Sequence, residues 1–378
     1  MSNSINLFFA GDFCSKPSTS LITVSDELKE LIRSCDLKVI NFEVPLKPDV
    51  ELSQKDYERF FQNDDAPVFL KNLGFNLFPL ANNHVFDWGE EGFLKTKNAL
   101  GEETFGAGSY QEAYYVKCIE IKGRKIGFLA LTFAIKTGVF YDVMNHDGLG
   151  CAYIHDLKVN HIILEAKKEV DYLIVLPHDG IEYIDSPLPE IIEKYRDFIE
   201  YGADAVIGTH PHCPQGWENY KGKPIFYSLG NFFFNSKNDT SYRAWNRPHW
   251  YEGLCVLMEI SDNSVNYTVY NTLNKNNEEL LIDKDPSRVM HNGEICSYLQ
   301  DKNKYIAYLS NAIRQTSLSD LRVLDNSICK ENLKNMMKNI AKRWIKASHG
   351  VYKHNDSNIN EFLKNDTRRN ALMRFLNL

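Results

Sequence analysis

The stretch Ile5-Asn6-Leu7-Phe8-Phe9-Ala10-Gly11-Asp12, near the start of the chain, is an apolar run that leads directly into a glycine and a carboxylate. This composition predicts a first β-strand with a polar side chain at its carboxyl end. Further along the chain, short apolar runs of the same kind alternate with amphipathic stretches at helical spacing. Because strands and helices alternate, we predict an α/β layered sheet instead of separate helical and sheet regions.

Working outward from this stretch, the alternation continues to about residue 270. After the first strand at Ile5 to Ala10, the predicted strands are Leu37 to Phe42, Asn76 to Leu80, Tyr114 to Ile121, Lys125 to Thr132, Tyr172 to Pro177, Ala205 to Gly208, Ile225 to Leu229, Gly253 to Ile260 and Val265 to Tyr270. The predicted helices are Ser25 to Ser34, Asp64 to Leu73, Gly89 to Leu100, Asp156 to Lys168 and Pro189 to Tyr201. Caps and turn residues at their ends support these assignments.

A carboxylate, a carboxamide or an imidazole follows strand after strand in this pattern. The residues concerned are Asp12, Asn41, Glu43, Asn82, Asn83, His84, His178, His210 and His212. Each of them alone has an ordinary explanation as a turn residue, a helix cap or a core histidine. Ligands of open α/β sheets bind beyond the carboxyl ends of the strands, so the repeated placement indicates one shared centre.

These residue types indicate a metal centre. Carboxylate oxygen, amide oxygen and imidazole nitrogen together suit Mn, Fe or Zn, and no set of thiolates competes with them. A bridging carboxylate can hold two cations about 3.5–4 Å apart. In His210-Pro211-His212 the proline restricts the backbone, and strand-like alternation would direct both imidazoles to one side.

Several longer motifs, in this order, resemble the CapA family of capsule and poly-γ-glutamate synthesis proteins, within the calcineurin-like metallophosphatase superfamily. They are Gly11-Asp12, Asn41-Phe42-Glu43-Val44-Pro45, Asn82-Asn83-His84-Val85-Phe86-Asp87-Trp88-Gly89, Gly106-Ala107-Gly108, His178-Asp179-Gly180-Ile181-Glu182-Tyr183, Gly202-Ala203-Asp204, Gly208-Thr209-His210-Pro211-His212-Cys213-Pro214-Gln215 and Tyr227-Ser228-Leu229-Gly230-Asn231-Phe232. The resemblance extends from residue 5 to about residue 235.

The resemblance implies a metallophosphatase-like four-layer α/β/β/α sandwich that binds one or two divalent metal ions. The implied metal ligands are Asp12, Glu43, Asn83, His178, His210 and His212. Glu43 would take the bridging place between two cations. His84 would face the substrate as an acid or a charge stabiliser, and Asp87 would orient its ring.

Other residues near these motifs have weaker assignments. The positions expected to bind substrate or to support the ligands are Asn41, Glu182, Tyr183, Gln215 and Asn231, and packing or turn roles remain open for them. Cys14 stands where related phosphatases have a ligating histidine, and we expect a small buried apolar side chain there. An aromatic and basic run could form a lid over an anionic substrate or a plain surface loop; it comprises Tyr242, Arg243, Trp245, Arg247, His249, Trp250 and Tyr251.

Bulk properties exclude some classes of function. The net charge of −7 argues against broad nucleic-acid binding, which requires basic surfaces. No stretch approaches the ~20 apolar residues of a membrane span. The first residues lack a basic flank and a cleavage pattern, so we expect a cytoplasmic protein whose eight scattered cysteines are free thiols.

The composition changes after about residue 274. We therefore predict a metallophosphatase-like domain at 1–274 and a mainly helical extension at 275–378 packed on it, with a linker at Glu278 to Arg288. We expect this extension to contribute no metal ligand, so that His291, His349 and His354 lie away from the metals.

Three hypotheses for the function remain open. The first is a metal-dependent hydrolase that acts on a phosphoester or a related bond in a small or polymeric anionic substrate. The second is an accessory protein of capsule or poly-γ-glutamate synthesis that binds or cleaves an anionic γ-glutamyl polymer. The third is a non-catalytic binding component with a degenerate metal site.

Overall fold

The structure is a computed structural model that describes residues 4–49, 60–133, 148–235, 247, 249–261 and 265–325. Its strands are β1 Ile5–Ser15, β2 Thr23–Val24, β3 Leu37–Phe42, β4 Phe78–Pro79, β5 Thr104–Phe105, β6 Ala107–Gly108, β7 Lys117–Ile121, β8 Arg124–Thr132, β9 Gly150–Cys151, β10 Tyr172–His178, β11 Ala205–Ile207, β12 Trp217–Tyr220, β13 Lys223–Phe226, β14 Asn231–Asn235, β15 Glu252–Ile260, β16 Val265–Lys275 and β17 Glu279–Ile282. Its helices are α1 Asp26–Arg33, α2 Ala66–Leu73, α3 Gly89–Leu100, α4 Tyr110–Ala113, α5 Lys158–Glu169, α6 Pro189–Glu200, α7 Pro286–Leu299 and α8 Lys302–Asp325.

Two mixed sheets form the centre of the fold. In the first sheet the order is β14-β1-β15-β16-β17-β2, with β3 paired to β1. In the second sheet the order is β12-β13-β11-β10-β8-β7. The pairs β1–β3, β1–β14, β8–β10, β10–β11 and β11–β13 are parallel, so several strands of each sheet end at the same edge.

The two sheets pack face to face, with helices on both outer sides. Phe9 and Val39 of the first sheet share one apolar core with Phe128, Ile174 and Phe226 of the second. Helices α5 and α6 contact β10 and β11 on one side, while α1 contacts β17 and α2 on the other. The predicted α/β class and its four-layer α/β/β/α arrangement are therefore confirmed.

Local sequence signals explain the helix ends. The Ser25 hydroxyl accepts a hydrogen bond from the Leu28 amide at 3.4 Å and caps α1. Gly74 ends α2 with a φ of 113°, a conformation that favours glycine. The bounds of α1 and α3 and the β7–β8 hairpin agree with the sequence prediction within the usual variation at element ends.

Some strands differ from the prediction. The strand expected at Asn76 to Leu80 has only two residues, because Pro79 has no amide hydrogen to extend the ladder. The strand β14 at Asn231–Asn235 was not predicted, although its Phe-rich run pairs with β1 in the first sheet. The sequence treats Asn231 as a turn residue because Gly230 precedes it.

The first sheet also runs past residue 274. Strand β17 pairs with β16 and β2 in the segment that the sequence predicts as a linker. Asn276 and Asn277 join β16 to β17 with φ values of 58° and 60°, and paired asparagines favour this hairpin geometry. The division of the chain into two domains itself stays a prediction.

Residues 1–305 form one compact unit, and α8 continues from it to Asp325. The later part of the predicted helical extension lies outside the described residues, and so do His349 and His354. No helix in the described ranges is long and apolar enough to cross a membrane. The predicted cytoplasmic location stays a prediction.

Close approach of two backbones at Gly11 generates the first testable prediction. A Cβ atom at position 11 would lie 1.9 Å from the Gly230 carbonyl oxygen. We expect Gly11→Ala to lower the free energy of unfolding by at least about 2 kcal/mol, because the two strands must separate. Chemical denaturation measures this change.

The matched control is Gly293→Ala in α7, where an added Cβ atom meets nothing within 4 Å. Removing a helical glycine there should be neutral or stabilising by up to about 1 kcal/mol. Equal stability of Gly11→Ala and the unchanged protein would contradict the close contact between β1 and Gly230.

Candidate metal centre

Five of the predicted ligand side chains lie in or after strands of the two sheets. Asp12 lies in β1, and Glu43 directly follows β3, the parallel neighbour of β1. His178 ends β10, while His210 and His212 follow β11, the parallel neighbour of β10. Because the two sheets face each other, all five side chains share one buried space.

A bulge brings the first carboxylate into this space. The register of β1 shifts between Ala10 and Asp12 on its β3 side, and between Asp12 and Phe13 on its β14 side. Bulges redirect side chains in this way and occur often beside functional sites. Strand β1 then continues to Ser15. Asp12 was predicted at the carboxyl end of this strand but lies within it.

The side chains form two overlapping groups that share Glu43. One group is Glu43, His178 and His210, and the other is Asp12, Glu43 and His212. Oε1 of Glu43 lies 3.8 Å from Nε2 of His178 and 3.5 Å from Nε2 of His212. Nδ1 of His210 lies 3.2 Å from Nε2 of His178. Glu43 therefore belongs to both groups, and its role as a bridging metal ligand stays a prediction.

Burial and charge in this space fit divalent cations. Both carboxylate oxygens of Glu43 and Nε2 of His210 are buried and have no hydrogen-bond partner. Burial, followed by the charges of Asp12 and Glu182, raises the pKa of Glu43. Burial also lowers the pKa of His178 and brings that of His210 to about 3, which leaves these imidazoles neutral. Metal ions bind neutral imidazoles, and a cation would give the buried oxygens of Glu43 the partner that they lack among the protein side chains.

Polar neighbours hold the ligand side chains in place. The Asn41 amide donates a hydrogen bond to Oδ1 of Asp12 at 2.7 Å and lies 3.2 Å from Nδ1 of His178. The Thr209 hydroxyl also contacts Nδ1 of His178, at 3.0 Å. Oδ1 of Asn83 lies 2.8 Å from Nε2 of His178, so the amide oxygen of this predicted ligand faces the centre.

Thr209 and Asn82 complete the site; Asn82 was noted among the strand-end residues without a role of its own, and Thr209 was not predicted. The Asn82 amide donates to the Phe42 carbonyl at 3.1 Å, and its Oδ1 accepts from the His84 amide at 3.1 Å. It therefore shapes the turn that carries Asn83 and His84. Both residues lie inside the quoted family motifs, but a hydroxyl and a turn amide give no metal signal of their own.

His84 differs from the ligand histidines in its exposure. Its side chain is 18% exposed, while those of His178 and His212 are almost fully buried. Nδ1 of His84 contacts Oδ2 of Asp87 at 2.8 Å, and its Nε2 lies 4.0 Å from Oε1 of Glu43. Because a carboxylate only accepts, Asp87 favours the proton on Nδ1 and directs Nε2 towards the centre.

The other predicted supporting residues lie around the same centre. Oδ1 of Asn231 lies 2.9 Å from Nδ1 of His212, and its amide donates to the Trp250 carbonyl at 2.9 Å. The Tyr183 ring stacks on His212 with 6.2 Å between centroids. Gln215 donates to the Ile184 carbonyl at 2.7 Å, so it holds the loop that carries Tyr183. The roles of all these side chains in binding or catalysis stay predictions.

Cys14 and the aromatic and basic run at residues 242–251 carried two further expectations. Cys14 packs in a small apolar cluster with Val44, Tyr183, Phe234 and Trp250, as expected for a buried apolar side chain. Burial raises the pKa of its thiol well above the ordinary value. Tyr242, Arg243 and Trp245 of the proposed lid lie outside the described residues.

Trp250, for which a lid and a surface loop were both left open, is buried and forms a wall of the centre. It is 2% exposed, and its ring centroid lies 5.2 Å from that of His212. The Arg247 guanidinium lies 5.1 Å above the Tyr183 ring, which itself contacts Trp250. The position of Trp250 depends on contacts between distant segments, so the sequence alone could not distinguish a wall from a lid.

His210 and His212 reach the centre by a different backbone path from the one predicted. Their φ values are 102° and 56°, so neither residue has the extended conformation of a strand. Such conformations cost energy and persist where the surrounding structure determines them. Both imidazoles face Glu43, but the turn around Pro211, and not strand-like alternation, directs them there.

Two side-chain groups with one shared carboxylate, at the strand ends of a four-layer α/β/β/α sandwich, define a metallophosphatase-like protein. The family model described as bacterial capsule synthesis protein PGA_cap matches residues 7–236. The chain belongs to this family, and the resemblance to CapA proteins is confirmed.

Curated relatives support the same family. The chain is 33% identical to PGA biosynthesis protein CapA from Bacillus subtilis over 218 residues, which cover 55% of this chain and 56% of that protein. It is 29% identical to capsule biosynthesis protein CapA from Bacillus anthracis over 215 residues, which cover 54% and 52%. The chain thus spans about half the length of the curated relatives it matches.

A crystal structure described as a novel phosphatase from Mycoplasma pneumoniae aligns with 77% of this chain and 98% of its own chain. The TM-score is 0.42 and the sequence identity is 14%.

The shared carboxylate generates a prediction on metal content. We expect elemental analysis to assign one or two divalent cations per chain to the Glu43 centre when Mn, Fe and Zn are supplied. Glu43→Gln should remove most of this metal from both groups, because Glu43 belongs to each of them. If one position is less occupied, it should be the one beside Asp12, where Cys14 replaces a ligating histidine.

Glu120→Gln, on the exposed edge of β7, is the matched control and should leave the metal content unchanged. Full occupancy in Glu43→Gln, or no metal in the unchanged protein, would contradict the centre described above.

Proposed function

We propose that the chain is a metal-dependent hydrolase that cleaves a phosphoester or a related bond. The observation that carries this proposal is the position of His84 relative to Glu43. A partly exposed imidazole, held by a buried carboxylate, directs Nε2 to a point 4.0 Å from the shared ligand. A centre that only bound metal would not require this oriented and accessible histidine.

The chemistry divides between the cations and His84. Divalent cations held by the two groups would polarise an oxygen of the substrate and offset the charge that develops on it. A water oxygen forms the new bond to phosphorus while the bond to the leaving oxygen breaks. With a proton on each ring nitrogen, His84 would give its Nε2 proton to that leaving oxygen and regain one from solvent, while the attacking water would lose a proton to solvent. Asp87 keeps the ring in place by accepting from Nδ1.

Lysine side chains near the His84 segment favour an anionic substrate. Nζ of Lys16 lies 5.0 Å from the centroid of the Phe61 ring, and Nζ of Lys47 lies 5.1 Å from the Trp88 ring. The ring edge of Phe60, next to Phe61 in the chain, contacts His84. The positive charge of these two lysines would raise the local concentration of anionic substrates.

A second candidate function follows from family membership. The relatives are named for the synthesis of PGA and of capsule. On this proposal the centre binds or cleaves an anionic γ-glutamyl polymer, whose carboxylates would replace the phosphoryl oxygens near the cations. A panel of phosphomonoesters, phosphodiesters and γ-glutamyl polymers separates the two candidates, because only one bond type should turn over at a substantial rate.

Two neighbouring residues separate metal binding from catalysis. Asn83→Ala should lower metal content and activity together, because its amide oxygen faces the ligand histidines. His84→Gln should keep the metal and lower turnover by roughly 10²–10⁴-fold, the usual range for a lost acid–base group. Metal content and kinetics are measured on the same preparations.

His161→Gln is the matched control, since His161 is an exposed side chain of α5 and should not affect either quantity. Loss of metal in His84→Gln would make His84 a ligand and reverse the assigned roles. Unchanged turnover in His84→Gln and Asn83→Ala would make this motif only a turn and remove the observation that carries the proposal. No turnover on the whole panel with metal bound favours the non-catalytic binding component.

A further inference from the structure

A second set of ligand-type side chains lies outside the centre described above. Asp185, His249 and His291 bring their ligand atoms within 4.8 Å of one another. Asp185 follows the loop that carries Tyr183, His249 precedes β15, and His291 lies in α7. Three segments that are far apart in the chain therefore converge on one point.

The distances among these atoms suit a tetrahedral metal site. Oδ2 of Asp185 lies 3.0 Å from Nε2 of His291 and 3.8 Å from Nε2 of His249. With zinc–ligand bonds of about 2.0–2.2 Å, the ligand atoms of a tetrahedral site lie roughly 3.3–3.6 Å apart. The observed separations lie on both sides of this range, so the ligand atoms are close enough to share one ion once the imidazole rings rotate.

The environment of His249 matches that of many metal-binding histidines. Its Nδ1 contacts Oε2 of Glu252 at 2.9 Å, which leaves Nε2 directed at Asp185. A carboxylate on the far nitrogen is the usual support for a histidine that binds zinc. The two imidazole rings are stacked, with 4.5 Å between centroids and 7° between planes. Because a nitrogen lone pair lies in its ring plane, the rings must rotate out of this stack for both Nε2 atoms to reach one ion.

We propose that Asp185, His249 and His291 bind one zinc ion at a site separate from the Glu43 centre. Two imidazoles and one carboxylate form a nitrogen-rich set that favours zinc over the oxygen-seeking Mg²⁺ and Ca²⁺. The side chains are 12%, 25% and 26% exposed, so an ion can enter from solvent. With three protein ligands, the fourth position would hold water or another small ligand.

This site would connect α7 to the two segments that carry Tyr183 and Trp250, beside the Glu43 centre. Tyr183 lies two residues before Asp185, and Trp250 directly follows His249; both rings pack against His212. A zinc ion would therefore fix α7 against the two segments that position His212. His291 lies outside the Glu43 groups, as predicted, but the proposal gives the C-terminal segment a ligand that the sequence analysis did not expect.

Zinc content tests the proposal directly. Full-length protein is stripped with a chelator, saturated with Zn²⁺, desalted and assayed by elemental analysis. His291→Gln and His249→Gln should each lose one equivalent of zinc relative to the unchanged protein, while His161→Gln should lose none. In a Glu43→Gln background, His291→Gln should still remove one equivalent, because the two sites share no ligand.

A supporting carboxylate gives a graded test. Glu252→Gln should still bind one zinc ion at Asp185, His249 and His291 when zinc is saturating. The affinity of this site for zinc should fall by about 10–100-fold, the usual effect of losing such support. Competition with a chromophoric chelator measures this affinity. Hydrogen exchange provides a readout independent of zinc content: added Zn²⁺ should slow amide exchange in α7 in His161→Gln and not in His291→Gln.

Equal zinc content in the unchanged protein and in both folded histidine variants would overturn the proposal, and the trio would then be only a hydrogen-bonded contact. If one histidine variant fails to fold, the other variant and the zinc-dependent exchange of α7 in the unchanged protein decide. Unaltered exchange in α7 on zinc addition, with the Glu43 centre loaded, would likewise count against the site.

Discussion

The buried carboxylate of Glu43, which has no hydrogen-bond partner, is the constraint on which the centre depends. An ionised carboxylate in such a place is costly by several kcal/mol, and burial accordingly raises the pKa of Glu43. The neighbouring histidines cannot offset its charge by protonation, because burial lowers the pKa of His178 and His210. Cations bound between these side chains would satisfy all of them together.

Close backbone contacts and left-handed turns bring the carboxylates and imidazoles of the centre together. Gly11 lets β1 approach Gly230, and the Asp12 amide donates to the Gly230 carbonyl at 3.0 Å. His210 and His212 adopt left-handed conformations, which cost about 1–3 kcal/mol each. The contacts of Asn231 with His212 and Trp250 hold this turn from the other side. Local strain is therefore balanced by contacts from distant strands.

The aromatic wall links the centre to the rest of the molecule. Trp250 and Tyr183 pack on His212 and continue into the segments that carry His249 and Asp185. Displacement of either segment would shift His212, which in turn contacts Glu43. This continuity gives α7 a physical route to the centre through packed side chains instead of through solvent.

Much of the centre could be predicted because its residues directly follow apolar runs. Parallel strands end at a common edge, so Asp12, Glu43, His178 and His210 could be assigned to one site from their order alone. The pairing of His84 with Asp87 three residues later was implied by the family resemblance and not by this reasoning. The reasoning failed for β14 and β17, since strand pairing depends on partners distant in the chain. The paired asparagines Asn276 and Asn277 are a local turn signal before β17 that the strand prediction did not include.

The sequence by itself determined the class of fold and the chemical types of the ligands, because both follow from local periodicity and from what comes next to each strand. Only the tertiary structure decided that Trp250 is a wall and that His291 meets Asp185. These features depend on how two sheets and α7 pack. Packing joins residues more than a hundred positions apart, where local sequence patterns carry no information about distance.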